Sequence, residues 1–386
     1  MPVQKIAIEQ FLSLAGEFPV LDVRSPGEYK HAHIPGAHNL PLFDDEERKV
    51  VGTTYKQQSR EAAIKIGLNY FGVKMRKMVE EVESIVGSWQ LAVGNENAAV
   101  SKLQTGNCIL LHCWRGGMRS AAIAWLLDLY GFKVYLLVGG YKAYRKWVLA
   151  RFEKEYEFKI IGGYTGSGKT LLIHELEKQG QTIVDLEAIA NHKGSAFGAL
   201  GEKDQPKQEM FENLLAGELS VKCKVASGQS SVGNGQTLTA NYQLQTANCI
   251  WLEDESQRIG NLQIPMPLWY KMRKSPVYFL DIPFEERLEY IREEYGKFAK
   301  EHLVNAIMRI QKRLGGLETK NAINHLLEND RKSCFRILLA YYDKWYGKAL
   351  YNRENISALL NKIPCTGVDT AANTQKLLSC VTVPSL

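Results

Sequence analysis

Short unbroken apolar runs, each closed by a turn or an acidic residue, alternate with longer helix-compatible stretches along the first part of the chain. FPVLDVRS (18–25) predicts a buried strand from Val20 to Val23, ended by a polar turn. HAHIPGAHNLP (31–41) is rich in turn residues, among them Pro35, Gly36 and Pro41. CILLHC (108–113) predicts a second strand that runs straight into a Gly-containing loop. SAAIAWLLDLYGF (120–132) has helical composition with Gly131 as its stop, and KVYLLVGGY (133–141) predicts a strand from Val134 to Val138 followed by a Gly-Gly turn. Strand and helix in alternation predict a parallel α/β sheet.

The pattern then restarts. YKAYRKWVLARFEKEYEF (141–158) reads as a helix leading from one domain to the next, and FKIIGGYTGSGKTLLIHELEKQG (158–180) reads as strand, Gly loop and a helix closed by Gly180. TIVDLEAIA (182–190), NCIWLEDES (248–256) and VYFLDIP (277–283) predict three further apolar strands with acidic C-terminal ends. Residues 284–361 are helix-compatible and charged, and the Gly/Ser/Thr/Gln-rich segment between Ser220 and Asn248 predicts an inserted surface loop or hairpin. The expected division is 1–140, a helical connector 141–157, and 158–386; both domains are α/β, and the second ends in a helical C-terminal part.

The chain of 386 residues exceeds one typical core, which agrees with two domains. Its 45% hydrophobic and 23% charged residues are those of an ordinary globular protein. No apolar run is long enough to span a bilayer, and Glu9 and Glu17 interrupt the start, so the expectation is a cytoplasmic protein without membrane partners. The seven cysteines form no CxxC pair, which disfavours a disulfide framework or a zinc site. Only Cys113 has a reactive context.

HCWRGGMRS (112–120) sets that context. Cys113 follows a strand and precedes a helix, so the amides of Trp114, Gly116, Gly117 and Met118 and the charges of Arg115 and Arg119 all favour a thiolate. Gly116 and Gly117 permit close backbone approach. The alternative is an inert cysteine in a Gly turn. LDVRSPGEYKHAHIPGAHNLP (21–41), with Asp22 and Arg24, resembles the first motif of the rhodanese homology domain, and Cys113 matches the position that forms a persulfide there. The loop from Cys113 to Arg119 is one residue longer than is usual in simple sulfurtransferases of that family. It has the spacing of cysteine phosphatases on the same fold, which implies a loop sized for a phosphorus-bearing ligand.

The second anion loop is Gly163, Tyr164, Thr165, Gly166, Ser167, Gly168, Lys169 and Thr170, a match to GxxxxGK(S/T). It follows the apolar pair Ile160–Ile161 and opens a helix, as phosphate cradling requires. Lys169 would pair with phosphate oxygens and Thr170 is of the type that ligates Mg²⁺. The acidic partners are Asp185 with Glu187, or Glu253 with Asp254, each of which is equally a candidate helix cap. The default ligand of such a loop is ATP or GTP.

The net charge of +6 is mild, but three runs interleave aromatic and basic residues: 141–151, 268–274 and 341–348. Aromatic faces stack on unpaired bases while cations hold phosphates, so Lys142, Arg145, Lys146 and Arg151 are candidate RNA contacts. The alternative for each run is an amphipathic helix with a solvated basic face.

CWRGG, GYTGSGKT, GTTYKQQ (52–58), DLEAIANHKGSAFG (185–198) and LEDESQRIG (252–260) together resemble the bacterial tRNA 2-selenouridine synthase family over nearly the whole chain. The resemblance implies a defined chemistry. A geranyl group from geranyl diphosphate goes to the 2-thio group of a modified wobble uridine, and selenium from selenophosphate then replaces the sulfur through a selenium bound to Cys113, with phosphate expelled. Geranylation would turn the sulfur into a better leaving group. The same resemblance implies the tRNA anticodon stem-loop and a selenophosphate-supplying enzyme as partners, and no tightly bound cofactor. Three rivals remain open on sequence: a cysteine phosphatase, a nucleotide-switched adaptor, and sulfur transfer from thiosulfate.

Overall fold

The computed structural model describes residues 3–93, 107–226 and 249–382. The chain divides into two compact units, Met1–Ala150 and Arg151–Leu386, with the boundary inside one helix. In the first unit the elements run β1 (Gln4–Ile6), α1 (Ile8–Leu14), β2 (Val20–Asp22), α2 (Pro26–His31), β3 (His38–Asn39), α3 (Asp45–Gln57), α4 (Arg60–Gly72), α5 (Met75–Val93), β4 (Cys108–His112), α6 (Met118–Tyr130), β5 (Lys133–Leu137) and α7 (Gly140–Glu153). The five strands form one parallel sheet in the order β1-β5-β4-β2-β3. Residues Ile109 to His112 of β4 are all buried, as a central parallel strand covered on both faces demands. Leu21, Ile109, Leu111, Ile123, Leu127, Val134 and Leu136 form the core, joined by Phe71, Met78 and Val82 from α4 and α5. Gly131 ends α6 with φ +115°, as its sequence position predicts.

The second unit runs β6 (Glu157–Gly163), α8 (Lys169–Lys178), α9 (Leu186–Ala190), α10 (Gln208–Ala226), β7 (Cys249–Glu253), β8 (Arg258–Ile259), β9 (Leu262–Gln263), α11 (Met266–Lys274) and β10 (Val277–Asp281). It continues with α12 (Phe284–Tyr295), α13 (Lys300–Leu314), α14 (Gly316–Leu327), α15 (Arg331–Tyr351), α16 (Ile356–Leu359), β11 (Leu360–Pro364) and α17 (Thr370–Thr382). A parallel sheet in the order β11-β10-β6-β7 places the phosphate-loop strand β6 between two neighbours. The helices α12 to α15 share a separate apolar core around Leu288, Leu303, Ile307, Leu326, Phe335 and Leu338. The fold is therefore α/β throughout, with a helical part late in the chain.

Two expectations are corrected. Residues 182–190 are not a strand: only Ile183 bridges to Trp251, after which Asp185 accepts a hydrogen bond from Ala188 N at 2.8 Å and caps α9. The expected loop from Ser220 to Asn248 begins as helix, because α10 continues to Ala226; residues 227–248 lie outside those described. Strand β11 was not foreseen at all. Its burial pattern has only Ile363 inside, which gives no run for a sequence reading to detect.

Candidate active site

Strand β4 delivers Cys113 at its C-terminal end, and α6 begins five residues later. The backbone of α7 seats the loop: Tyr141 N donates to Cys113 O at 2.8 Å and Lys142 N to Trp114 O at 3.0 Å. Gly140 makes this possible. Its φ is +58°, and a Cβ there would stand 2.4 Å from Cys113 O. Gly116, with φ +68°, likewise lies against Leu137 O, whereas a Cβ on Gly117 would meet nothing within 4 Å. The anticipated need for close approach holds at Gly116, and at Gly117 only toward whatever enters the loop.

The thiol is buried, with Sγ 3.1 Å from Ser120 Oγ. Burial pushes its pKa up, but the Ser120 hydroxyl and the amides of Arg115, Gly117 and Ser120 outweigh burial and hold it below its ordinary value. Ser120 also lies 3.1 Å from Gly117 O. Its single proton therefore has two acceptors, the carbonyl when the sulfur is protonated and the sulfur when it is a thiolate. Replacing Ser120 by alanine removes a donor to the anion, so the pH profile of Cys113 alkylation by iodoacetamide is expected to move to higher pH. An unmoved profile would leave the amides as sufficient on their own.

The two arginines divide. Arg119 donates to Glu28 of α2 at 2.6 and 3.4 Å and thereby ties the loop to a neighbouring helix. Arg115 is exposed and has no ion-pair partner among the described residues, which leaves its guanidinium for an incoming oxyanion. Asp22 and Arg24 do not touch the sulfur. Arg24 forms a buried pair with Asp22 at 2.6 Å, donates to Ala32 O at 2.8 Å, and stacks 3.8 Å from the Tyr141 ring. It floors the loop through that ring. His112 is wholly buried, with Nε2 3.8 Å from Asp22 Oδ2. Burial drives its pKa down despite Asp22, so it sits as a neutral imidazole in the core rather than as an acid.

In the second unit, Gly163, Gly166 and Gly168 of the phosphate loop all have positive φ, at 155°, 82° and 69°. Lys169 Nζ donates to Gly163 O at 3.0 Å, and Thr170 Oγ1 donates to Glu187 Oε2 at 3.1 Å. One member of each predicted acidic pair faces the loop. Glu187 and Glu253 gather with Glu255, with carboxylate oxygens within 4.8 Å of one another. Asp185 is spent capping α9 and pairing with His174 at 3.0 Å, and Asp254 is held by Tyr346 and Arg353. Burial pushes Glu253 up to about 8, with Glu187 and Asp185 adding and Lys169 opposing. Burial and the neighbouring Glu187 and Glu253 also raise Glu255. Such mutual repulsion, with Glu253 Oε1 buried and without a hydrogen-bond partner, fits a divalent cation beside Thr170.

Residues that the sequence reading missed hold this loop. The Arg287 guanidinium donates to Thr165 O at 3.0 Å and pairs with Asp343 at 2.7 Å. Tyr346 accepts from Gly163 N at 3.2 Å and donates to Asp254 at 2.6 Å. Asp343 and Tyr346 lie in the run 341–348, whose alternation of aromatic and basic residues predicted RNA contact. In the run 141–151 the aromatic faces are also occupied: Tyr141 and Tyr144 are buried, while Lys142 and Lys146 are exposed and Arg145 and Arg151 half-buried. Lys271 and Arg273 of the run 268–274 donate to the carbonyls of Phe152 and Ala349. Base stacking by Tyr141 and Tyr144 is therefore corrected, because their rings complete the core of the first unit.

A cysteine loop on the central strand of a rhodanese-like sheet, joined in one chain to a phosphate-loop α/β unit, defines a two-site class of protein. Residues 8–66 match the rhodanese-like domain model, and 156–233 with 235–362 match the model of the tRNA 2-selenouridine synthase AAA domain. The chain is 34% identical to tRNA 2-selenouridine synthase of Hydrogenovibrio crunogenus, covering 87% of this chain and 90% of that protein. It is 31% identical to the synthases of a Sulfurovum species and of Bdellovibrio bacteriovorus, over 87% and 92% of this chain and 88% and 95% of theirs. The chain belongs to the tRNA 2-selenouridine synthase family, a family of tRNA-modifying enzymes. Among the described residues no helix is long and apolar enough to cross a membrane.

Proposed function

We propose that this protein geranylates the 2-thio group of a modified wobble uridine and then replaces that sulfur by selenium from selenophosphate. The observation that supports the second step is the Cys113 loop, a thiol favoured as thiolate inside converging amides with Arg115 open to solvent. In the first step the thio sulfur attacks the carbon of geranyl diphosphate that bears oxygen. A C–S bond forms, the C–O bond breaks, diphosphate leaves, and the proton on the base nitrogen passes to water. Lys169 and the loop amides bind the diphosphate oxygens. Glu187, Glu253, Glu255 and Thr170 would hold Mg²⁺, which would supply positive charge against the departing diphosphate.

In the second step electron balance decides what the cysteine carries. Selenophosphate holds selenium at the selenide level, so an S–Se bond formed with release of phosphate would require a two-electron oxidant. The balanced route places the Cys113 thiolate on phosphorus. An S–P bond forms, the P–Se bond breaks, and hydrogen selenide departs as an anion that needs no general acid. Water then hydrolyses phosphocysteine to phosphate and thiol. The selenide adds to the base carbon and expels geranyl thiolate, which takes its proton from water. A loop of cysteine-phosphatase length suits this attack at phosphorus better than it suits transfer of a bare chalcogen.

The substrate would be the anticodon stem-loop of tRNA, with Lys142, Arg145, Lys146 and Arg151 of α7 as candidate phosphate contacts. Reconstitution tests the whole reading. Purified protein, a 2-thiouridine stem-loop, geranyl diphosphate and selenophosphate are expected to give first the S-geranyl and then the 2-seleno nucleoside by mass spectrometry. Selenouridine formed without geranyl diphosphate would reject the order of steps.

A further inference from the structure

Helix α6 carries apolar residues on its exposed side as well as on its buried one. Ile123, Ala124, Leu126 and Leu127 are buried, yet Met118, Trp125 and Leu129 on the opposite side are 49%, 55% and 69% exposed. Positions 118, 122, 125 and 129 recur at i, i+4, i+7 and i+11 and so share one face, of which Ala122 is half-buried against the core and the other three are open. The helix positions of that face carry no charge, since Arg119 points to Glu28 and Asp128 lies off the stripe; the exposed Arg115 stands only at its loop end. Trp114, 37% exposed in the loop itself, adds an aromatic surface where the stripe begins. A helix with apolar stripes on two sides normally has both covered.

We propose that the exposed face of α6, from Trp114 and Met118 to Trp125, binds the hydrocarbon chain of the S-geranyl intermediate while the base reacts at the Cys113 loop. This rests on the geranylated intermediate proposed above. Three observations fix the occupant. The face starts within the loop that holds the nucleophile, and the geranyl sulfur is bonded to the very carbon that selenide must reach, so the chain has to lie beside that loop. The absence of charge along the helix stripe suits a neutral hydrocarbon, while Arg115 at the loop end is left for the oxyanion. The distance from Met118 to Trp125 along the helix, about 10 Å at 1.5 Å per residue, is of the order of an extended geranyl chain. Burying that chain would hold the modified base in place and favour it over an unmodified thio base.

The test compares stem-loop RNAs carrying S-geranyl- or S-methyl-2-thiouridine. Wild-type protein is expected to bind the geranyl form at least about tenfold more tightly, the scale of a few buried methylenes. Trp125→Ala, and to a lesser degree Leu129→Ser, is expected to remove most of that preference while S-methyl binding, melting temperature and sedimentation stay unchanged. Full preference retained in both variants, an equal loss for both RNAs, or an altered sedimentation coefficient pointing to a protein contact would each overturn the proposal. A wild-type protein without preference also overturns it. Only the failure of geranylated product to appear in the reconstitution overturns the reading beneath.

Discussion

Replacing Cys113 by alanine is expected to abolish selenouridine formation, by at least roughly 10³-fold, while geranyl transfer continues and S-geranyl nucleoside accumulates. The size of the effect follows from the chemistry. Without a thiolate no group in the loop attacks phosphorus, because His112 is a buried neutral imidazole and, among the described residues, Ser120 has no base beside it other than the sulfur. The amides and Arg115 would still bind selenophosphate, so loss of turnover should exceed loss of binding. Mass spectrometry of the wobble nucleoside reads both products in one experiment. Equal loss of geranylation and selenation would show that the two activities share a site, and would remove the division of labour proposed here.

The converse is expected of Lys169. Its alanine variant should slow geranylation by roughly 10²–10³-fold, the usual cost of losing one charged group at a developing oxyanion. In this structure Lys169 donates to Gly163 O and is the cation that opposes the raised pKa of Glu187 and Glu253. Its removal therefore takes a positive charge from diphosphate and leaves the carboxylates less compensated. When S-geranyl RNA is supplied directly, selenium replacement should proceed at the wild-type rate. Geranylation that survives the substitution would transfer the diphosphate to another part of the protein.

The positions of both anion loops were legible because each rests on local signals. An apolar strand, a short Gly-bearing turn and a helix start all lie within a dozen residues, and glycine at positive φ is a backbone requirement that the sequence states directly. Parallel α/β architecture followed from the same alternation. The pairing of acidic groups did not follow. Asp185 and Glu187 are two residues apart, but one caps a helix and the other faces Thr170, a difference made by the short turn of α9. The aromatic residues of the run 141–151 misled for a related reason, since interleaved Tyr and Lys describe a solvated helix with a buried aromatic stripe as well as they describe an RNA surface.

The amino-acid sequence by itself determined where the Cys113 loop and the GxxxxGK(S/T) loop fall and the order of the two domains, since those are properties of contiguous residues. Tertiary structure alone decided which charges serve them. Arg119 is claimed by Glu28, 91 residues earlier, and Gly163 N is met by Tyr346, 183 residues later. Glu187 joins Glu253 and Glu255 only because Ile183 bridges to Trp251 and so lays the start of α9 beside the end of β7. Such partners are chosen by strand order and helix packing, which bring together groups that no short stretch of sequence places in contact.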